Sequence, residues 1–204
     1  MTRTKFAEQF DVTGRHLCLL DKYLDFLERW NSKINLVGAS TLRDPWTRHF
    51  ADSAQLLELV GGDSGRWIDM GSGAGFPGVV VSILRGDAWA VELVESDQRK
   101  CAFLASVKRE LGISCTVHNA RIGELAVSGA DVVSARALGS LDNILEPFSR
   151  FAAEHGVGLF PKGASWKEEL AQAREKWDFP MEAIASVTDS SGAVIRVRNS
   201  RHAI

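Results

Sequence analysis

Trp67-Ile68-Asp69-Met70-Gly71-Ser72-Gly73-Ala74-Gly75-Phe76-Pro77-Gly78 runs from an apolar strand through an acid into four glycines within eight residues. Glycines at alternate positions allow positive φ and let a ligand approach main-chain atoms that a Cβ would shield. The apolar residues 79–84 that follow read as a buried helix behind the loop. Strand, glycine turn and helix in that order suggest a cradle for a nucleotide cofactor.

The register of the glycines bears on which cofactor. Gly73-Ala74-Gly75-Phe76-Pro77-Gly78 matches the dinucleotide pattern G-x-G-x-x-G, so an NAD-linked oxidoreductase is one reading. A dinucleotide site, however, needs its first glycine directly after the strand and its pyrophosphate on the next helix's N-terminus. Here the strand ends at Met70, which makes Gly71, Gly73 and Gly75 the better register. Asp69 at the strand's mouth would repel a pyrophosphate and suits a cofactor bearing an ammonium and a sulfonium, as S-adenosylmethionine does. Glu95 closes the next strand, where a carboxylate can accept ribose hydroxyls at about 1.5 to 3 kcal/mol for each charged hydrogen bond; a solvated acid beside Asp97 is the lesser reading. Residues 119–124, with Ile122 and main-chain groups, are placed to frame an adenine.

A chain of 204 residues, 45% hydrophobic, can bury one core with a small accessory part. The net charge of −2 supplies no global basic field, so nucleic acid would have to meet a local patch. Cys18, Cys101 and Cys115 lack a C-x-x-C pair and read as reduced core thiols, with no disulfide framework and no metal site. The N-terminus has no apolar signal segment and no stretch reaches the length of a membrane span, so a cytoplasmic protein is expected.

The polar glycine cluster at residues 61–65 divides the chain into a helical region, 1–62, and an alternating region, 63–204. Leu17, Leu20, Leu24, Leu27 and Trp30 form the stripe of an amphipathic helix. A second helix is expected from Asp44-Pro45 to about Val60, with Asp44 as cap and Pro45 in the first turn. Beyond the glycines, strands are expected at 67–70, 88–95, 114–118, 131–134 and 156–160, with a helix at 98–111 ended by Gly112. Residues 181–187 and 193–198 read as a terminal hairpin. The predicted fold class is therefore α/β, a mostly parallel, doubly wound Rossmann-like sheet closed by an antiparallel hairpin, as in class I methyltransferases.

Four blocks, Trp30-Asn31-Ser32-Lys33-Ile34-Asn35-Leu36, Arg48-His49-Phe50-Ala51-Asp52-Ser53, the glycine turn, and Ser134-Ala135-Arg136-Ala137, resemble the RsmG (GidB) family. The resemblance implies S-adenosylmethionine-dependent methylation of a guanine N7 in 16S ribosomal RNA. It implies a cofactor site at Gly71, Phe76, the backbone of Ile122 and Gly123, and Arg136. It extends to Lys162, where Pro161 departs from the family's Leu-Lys-Gly segment. The expected partner is 16S ribosomal RNA or the small subunit, with no membrane, and the expected state is a monomer. A small-molecule methyltransferase would share the same cradle.

The residues agree with that chemistry. Exocyclic amine methylation generally uses an Asn/Asp-Pro-Pro-aromatic tetrapeptide where this chain has Ser134-Ala135-Arg136-Ala137, and pyrimidine carbon methylation needs an attacking cysteine in a Pro-Cys context. Guanine N7 offers a lone pair and loses no proton, so alignment is enough. Arg136, the candidate catalytic residue, can pair with a cofactor carboxylate, stack on the base or hold a phosphate; a structural bridge to Asp69 or Glu95 is the competing role. Arg48 and His49 are placed to face the crevice, while Asn35 could fix a turn. Arg85, Arg99, Lys100, Lys108, Arg109, Arg196, Arg198 and Arg201 are candidates for RNA contact.

Overall fold

The apolar run that ends at Met70 becomes the central strand of a seven-stranded sheet. The structure is a computed structural model and describes residues 1–199. β1 (Gly65–Met70) lies between β2 (Trp89–Glu95) and β4 (Ala130–Ala135), with β3 (Thr116–Asn119) outside β2 and β5 (Ala152–Lys162) outside β4. These strands are parallel. β7 (Ala193–Arg198) runs antiparallel beside β5, and β6 (Met181–Ala185) closes the edge antiparallel to β7. Winding reverses between β1 and β4, which opens a crevice at the carboxyl ends of those strands.

Alternation along the strands feeds two cores. Trp67, Val91, Leu93 and Val132 face one side, where α4 (Gly78–Arg85) and α5 (Gln98–Leu111) pack. Ile68, Met70, Val94 and Val133 face the other, against α6 (Leu141–Phe151) and α7 (Trp166–Lys176). The helical region joins the first of these: α1 (Arg3–Gln9) contributes Phe6, and α2 (Gly14–Asn31) contributes Leu20, Tyr23 and Leu27 to the cluster that holds Trp67, Val80 and Phe103. No helix of the described residues is long and apolar enough to cross a membrane.

Local rules account for most boundaries. Asp97 caps α5 by accepting the Arg99 and Lys100 amides, and Gly112 ends it with φ 62°. The strand expected at 114–118 forms at Thr116–Asn119. β5 is longer than expected because its pairing shifts register between Ala130 and Val132 and because β7 pairs along it to Lys162.

Two expectations need correction. The regular helix expected from Asp44-Pro45 to about Val60 is instead a π-helical turn, Trp46–Ala51, then α3 (Asp52–Ala54), then a 3-10 turn, Gln55–Leu59. Asp44 still caps it, accepting the Thr47 amide at 3.3 Å. The Asp52 amide bonds to the Thr47 and His49 carbonyls in place of Arg48, whose carbonyl accepts the Arg136 guanidinium; Phe50, Ala51 and Ala54 stay in the core while Arg48, His49 and Asp52 border the crevice. Cys101 and Cys115 are buried but Cys18 is exposed, because it sits one residue, about 100° of helix, beyond the buried Leu17.

Candidate active site

The glycine turn is shaped from below by groups far apart in sequence. Gly71, Gly73 and Gly75 all have positive φ (63°, 55° and 94°), so the register that starts at Gly71 is the one that turns the chain. Gly78 opens α4 in ordinary helical backbone, where a Cβ would lie 2.2 Å from Leu93 Cδ2, so it serves helix-to-strand packing. Tyr23 of α2, fully buried, donates its hydroxyl to the Ala74 carbonyl and pins the turn to the helical region. Burial keeps that phenol protonated by pushing its pKa well above the usual value.

Above the turn lies a cleft of about 1100 Å³. Gly71, Gly73, Phe76, Glu95, Ile122, Gly123 and Arg136 all border it. Asp69 does not. It is fully buried beneath the turn, where Oδ1 accepts the Ser134 hydroxyl at 2.7 Å and Oδ2 accepts the Gly78 amide at 3.3 Å. Ser134 in turn accepts the Trp67 indole N–H at 2.8 Å. Burial raises the Asp69 pKa to about 6 against the lowering by those hydrogen bonds and by Arg136. The expected direct contact of Asp69 with a ligand is thus replaced by support of the loop, because its side chain shares the inward face of β1 with Trp67.

Glu95 closes β2 with its carboxylate already engaged. Oε1 accepts the Ser96 and Asp97 amides at 2.8 Å each, and Oε2 accepts the Gly73 amide at 2.9 Å. The carboxylate therefore ties the glycine turn to β2. Ile122 and Gly123 sit in a 3-10 turn, Ile122–Glu124, whose carbonyls face the guanidinium of Arg150.

Arg136 projects from the loop after β4. Its guanidinium donates to the Arg48 carbonyl at 3.0 Å and to Asp52 Oδ2 at 3.3 Å. The bridge to Asp69 or Glu95 considered from the sequence is not made; the carboxylate partner is Asp52. A third bond runs from Nη2 to His49 Nδ1 at 3.2 Å. Arginine can only donate, so His49 Nδ1 accepts and its proton sits on Nε2, which donates to Thr41 Oγ1 at 2.9 Å. Burial, with Arg136 and Arg48 nearby, lowers the His49 pKa to about 3. The neutral imidazole stacks on Phe76 at 4.6 Å, and the Arg136 guanidinium lies 4.8 Å over the same ring.

Contacts that the sequence did not disclose complete the walls. Asp52 Oδ1 accepts the Thr188 hydroxyl at 2.9 Å, and Gln55 accepts the Val187 amide at 3.0 Å, which draws the β6–β7 loop to the cleft. Leu138 covers Gly71, where a Cβ would come within 2.3 Å of Leu138 Cδ1. Lys162 binds the Gly139 carbonyl and Glu169, joining this loop to α7. Asp52 was within reach of sequence reading, since it shares a block with Arg48 and His49; Tyr23, Leu138 and Thr188 carried no local signal. Among the RNA candidates, Arg85 donates to the Leu57 carbonyl at 3.3 Å, Arg196 pairs with Glu182 across the terminal hairpin, and Arg201 lies outside the described residues.

Sheet order, the positive-φ turn after β1 and the cleft above it define a Rossmann-like methyltransferase fold. A solved SAM-dependent methyltransferase from Aquifex aeolicus is similar in fold, with a TM-score of 0.59 at 13% identity over 86% of this chain and 96% of that one. The chain belongs to the GidB family, rRNA small subunit methyltransferase G, whose model matches residues 16–198. Relatives called ribosomal RNA small subunit methyltransferase G include one from Ruegeria sp. strain TM1040, 42% identical over 93% of this chain and 94% of its own length. Another, from Rhodospirillum centenum, is 46% identical over 95% of this chain and 89% of its own.

Proposed function

We propose that this chain transfers the methyl group of S-adenosylmethionine to N7 of a guanine in 16S ribosomal RNA, acting in the cytoplasm as a monomer. The observation that carries the reading is the cleft of about 1100 Å³ over the glycine turn, with room for a nucleoside cofactor and a base together. The residues suit that cofactor. Glu95 Oε2 accepts one amide and retains a lone pair for a hydroxyl, and a Cβ direction at Gly73 meets nothing nearer than 3.8 Å. Gly71, Gly73 and Glu95 would hold the sugar side, Ile122 and Gly123 would frame the adenine, and Arg136 would meet the cofactor carboxylate or the target base.

When bound, S-adenosylmethionine supplies a methyl on a cationic sulfur that a lone pair can attack. The chain need not remove a proton from N7, and its groups are in keeping with this. His49 is neutral, and its Nδ1 is occupied by Arg136. Cys101 is buried with its thiol on the Glu95 carbonyl at 3.2 Å, its pKa raised by burial, so it offers no thiolate to the cleft. What remains is positioning and exclusion of water, worth up to roughly 7 to 11 kcal/mol when attack geometry is held. The test is incubation with methyl-labelled S-adenosylmethionine and small-subunit RNA lacking the modification, followed by digestion to nucleosides. Label in 7-methylguanosine is expected; label elsewhere, or none, would refute the reading.

A further inference from the structure

Lys33, Arg99 and Lys100 come together at the edge of the cleft, around a second pocket. Asn31 Oδ1 accepts the amides of Leu36 and Val37 at 2.9 Å each and folds the segment after α2 into a tight turn. One side of that turn, Leu36 and Val37, borders the cleft. The other side walls a second pocket of about 230 Å³, closed opposite by Asp97, Arg99 and Lys100 at the start of α5. Lys100 borders both spaces, so they are one side chain apart.

The charges in this pocket do not cancel. Its one acid, Asp97, already accepts the Arg99 and Lys100 amides and faces the Arg99 guanidinium at 3.3 Å. Among the described residues, neither the Lys33 nor the Lys100 ammonium has a hydrogen bond or an ion pair. In a chain of net charge −2, this is a local positive depression beside the mouth of the cleft. Lysine ammoniums on flexible stems suit a point anion without base preference, which is the property of a backbone phosphate.

We propose that this pocket holds a backbone phosphate of the RNA strand next to the nucleotide that enters the cleft. The proposal rests on the RNA-methylating reading above. The pocket then sets which nucleotide reaches the cleft by fixing the strand one residue away, while the cofactor half of the site is left unchanged.

The test compares the wild type with Lys33→Glu/Arg99→Glu, with Lys33→Gln/Arg99→Gln, and with the charge-preserving Lys33→Arg/Arg99→Lys. KM and kcat for methyl transfer to unmodified small-subunit RNA, RNA affinity between about 50 and 200 mM salt, and S-adenosylmethionine affinity by calorimetry are read for each. Each phosphate contact to a single strand makes affinity fall with salt at a slope of about 0.7. Losing the one phosphate contact that the pocket supplies therefore relieves the wild type's loss over that fourfold range by about 2.6-fold. Higher KM, unchanged kcat, unchanged cofactor affinity and recovery in the charge-preserving variant are expected. An unaltered salt slope in both charge-removing variants overturns the proposal, as does a loss of cofactor affinity in step with RNA affinity. A wild type that binds S-adenosylmethionine and labels no RNA overturns the parent reading and this one with it, and is told apart because the wild type itself fails.

Discussion

Burial of Asp69 makes the stability of this protein depend on pH in a direction opposite to that of most surface carboxylates. Its carboxyl has a pKa of about 6 in the fold against 3.8 ordinarily, so the folded protein keeps a proton that the unfolded chain releases. The stability that the protonated group contributes is complete below the ordinary value and is lost as pH rises through 6. The difference of about two units corresponds to about 3 kcal/mol in full, of which about 2 kcal/mol falls between pH 4.5 and 7.5. Asp69→Asn removes the titration. Its amide oxygen can accept from Ser134, but its NH₂ meets the Gly78 amide, which leaves a donor unpaired at a pH-independent cost of about 1 to 3 kcal/mol. Urea unfolding of both proteins across this range should show the wild type losing its advantage over the variant by about 2 kcal/mol as pH rises. A difference that stays flat, or grows with pH, would refute the account of Asp69 as a buried carboxyl beneath the glycine turn.

Tyr23→Phe removes the donor to the Ala74 carbonyl at a buried site, and should lower unfolding free energy by about 1 to 3 kcal/mol and weaken S-adenosylmethionine binding. Unchanged calorimetric affinity would detach α2 from the cradle. Gly71→Val places a branched side chain at φ 63° and within 2.3 Å of Leu138. Strain and overpacking together should cost about 2 to 5 kcal/mol, and cofactor affinity should collapse; an affinity like the wild type's would exclude the turn from the site. Asp52→Asn weakens a half-buried pair with Arg136 at 3.3 Å, and a loss of about 1.5 to 3 kcal/mol in urea unfolding is expected. An unmoved midpoint would show that Arg136 is held by His49 and the Arg48 carbonyl alone.

Much of the scaffold was legible along the chain. The glycine register was decided by where the strand ends, and the positive φ values of Gly71, Gly73 and Gly75 follow it. The helix over 98–111 and its Gly112 cap, and the second hairpin strand over 193–198, appear as read. Each of these rests on neighbours within a few residues, through periodicity, capping and backbone freedom. The direction of Asp69 was misread because the end of a strand looks like a mouth in sequence, whereas alternation turns this side chain inward with Trp67. The regular helix expected after Pro45 became a π turn in which the Arg48 carbonyl, freed from the Asp52 amide, accepts the Arg136 guanidinium, a partner 88 residues away that no propensity encodes.

What the sequence by itself determined was the alternation of strands and helices and the glycine register of the cradle at the end of β1. Only the tertiary structure decided how the cradle is held and how its charges are paired. Tyr23 reaches Ala74 across 51 residues, Arg136 reaches Asp52 across 84, and Thr188 reaches Asp52 across 136. Such pairs leave no periodic trace, since each partner is chosen by which surfaces the two cores bring together and by the cost of leaving a buried donor, acceptor or charge unmatched.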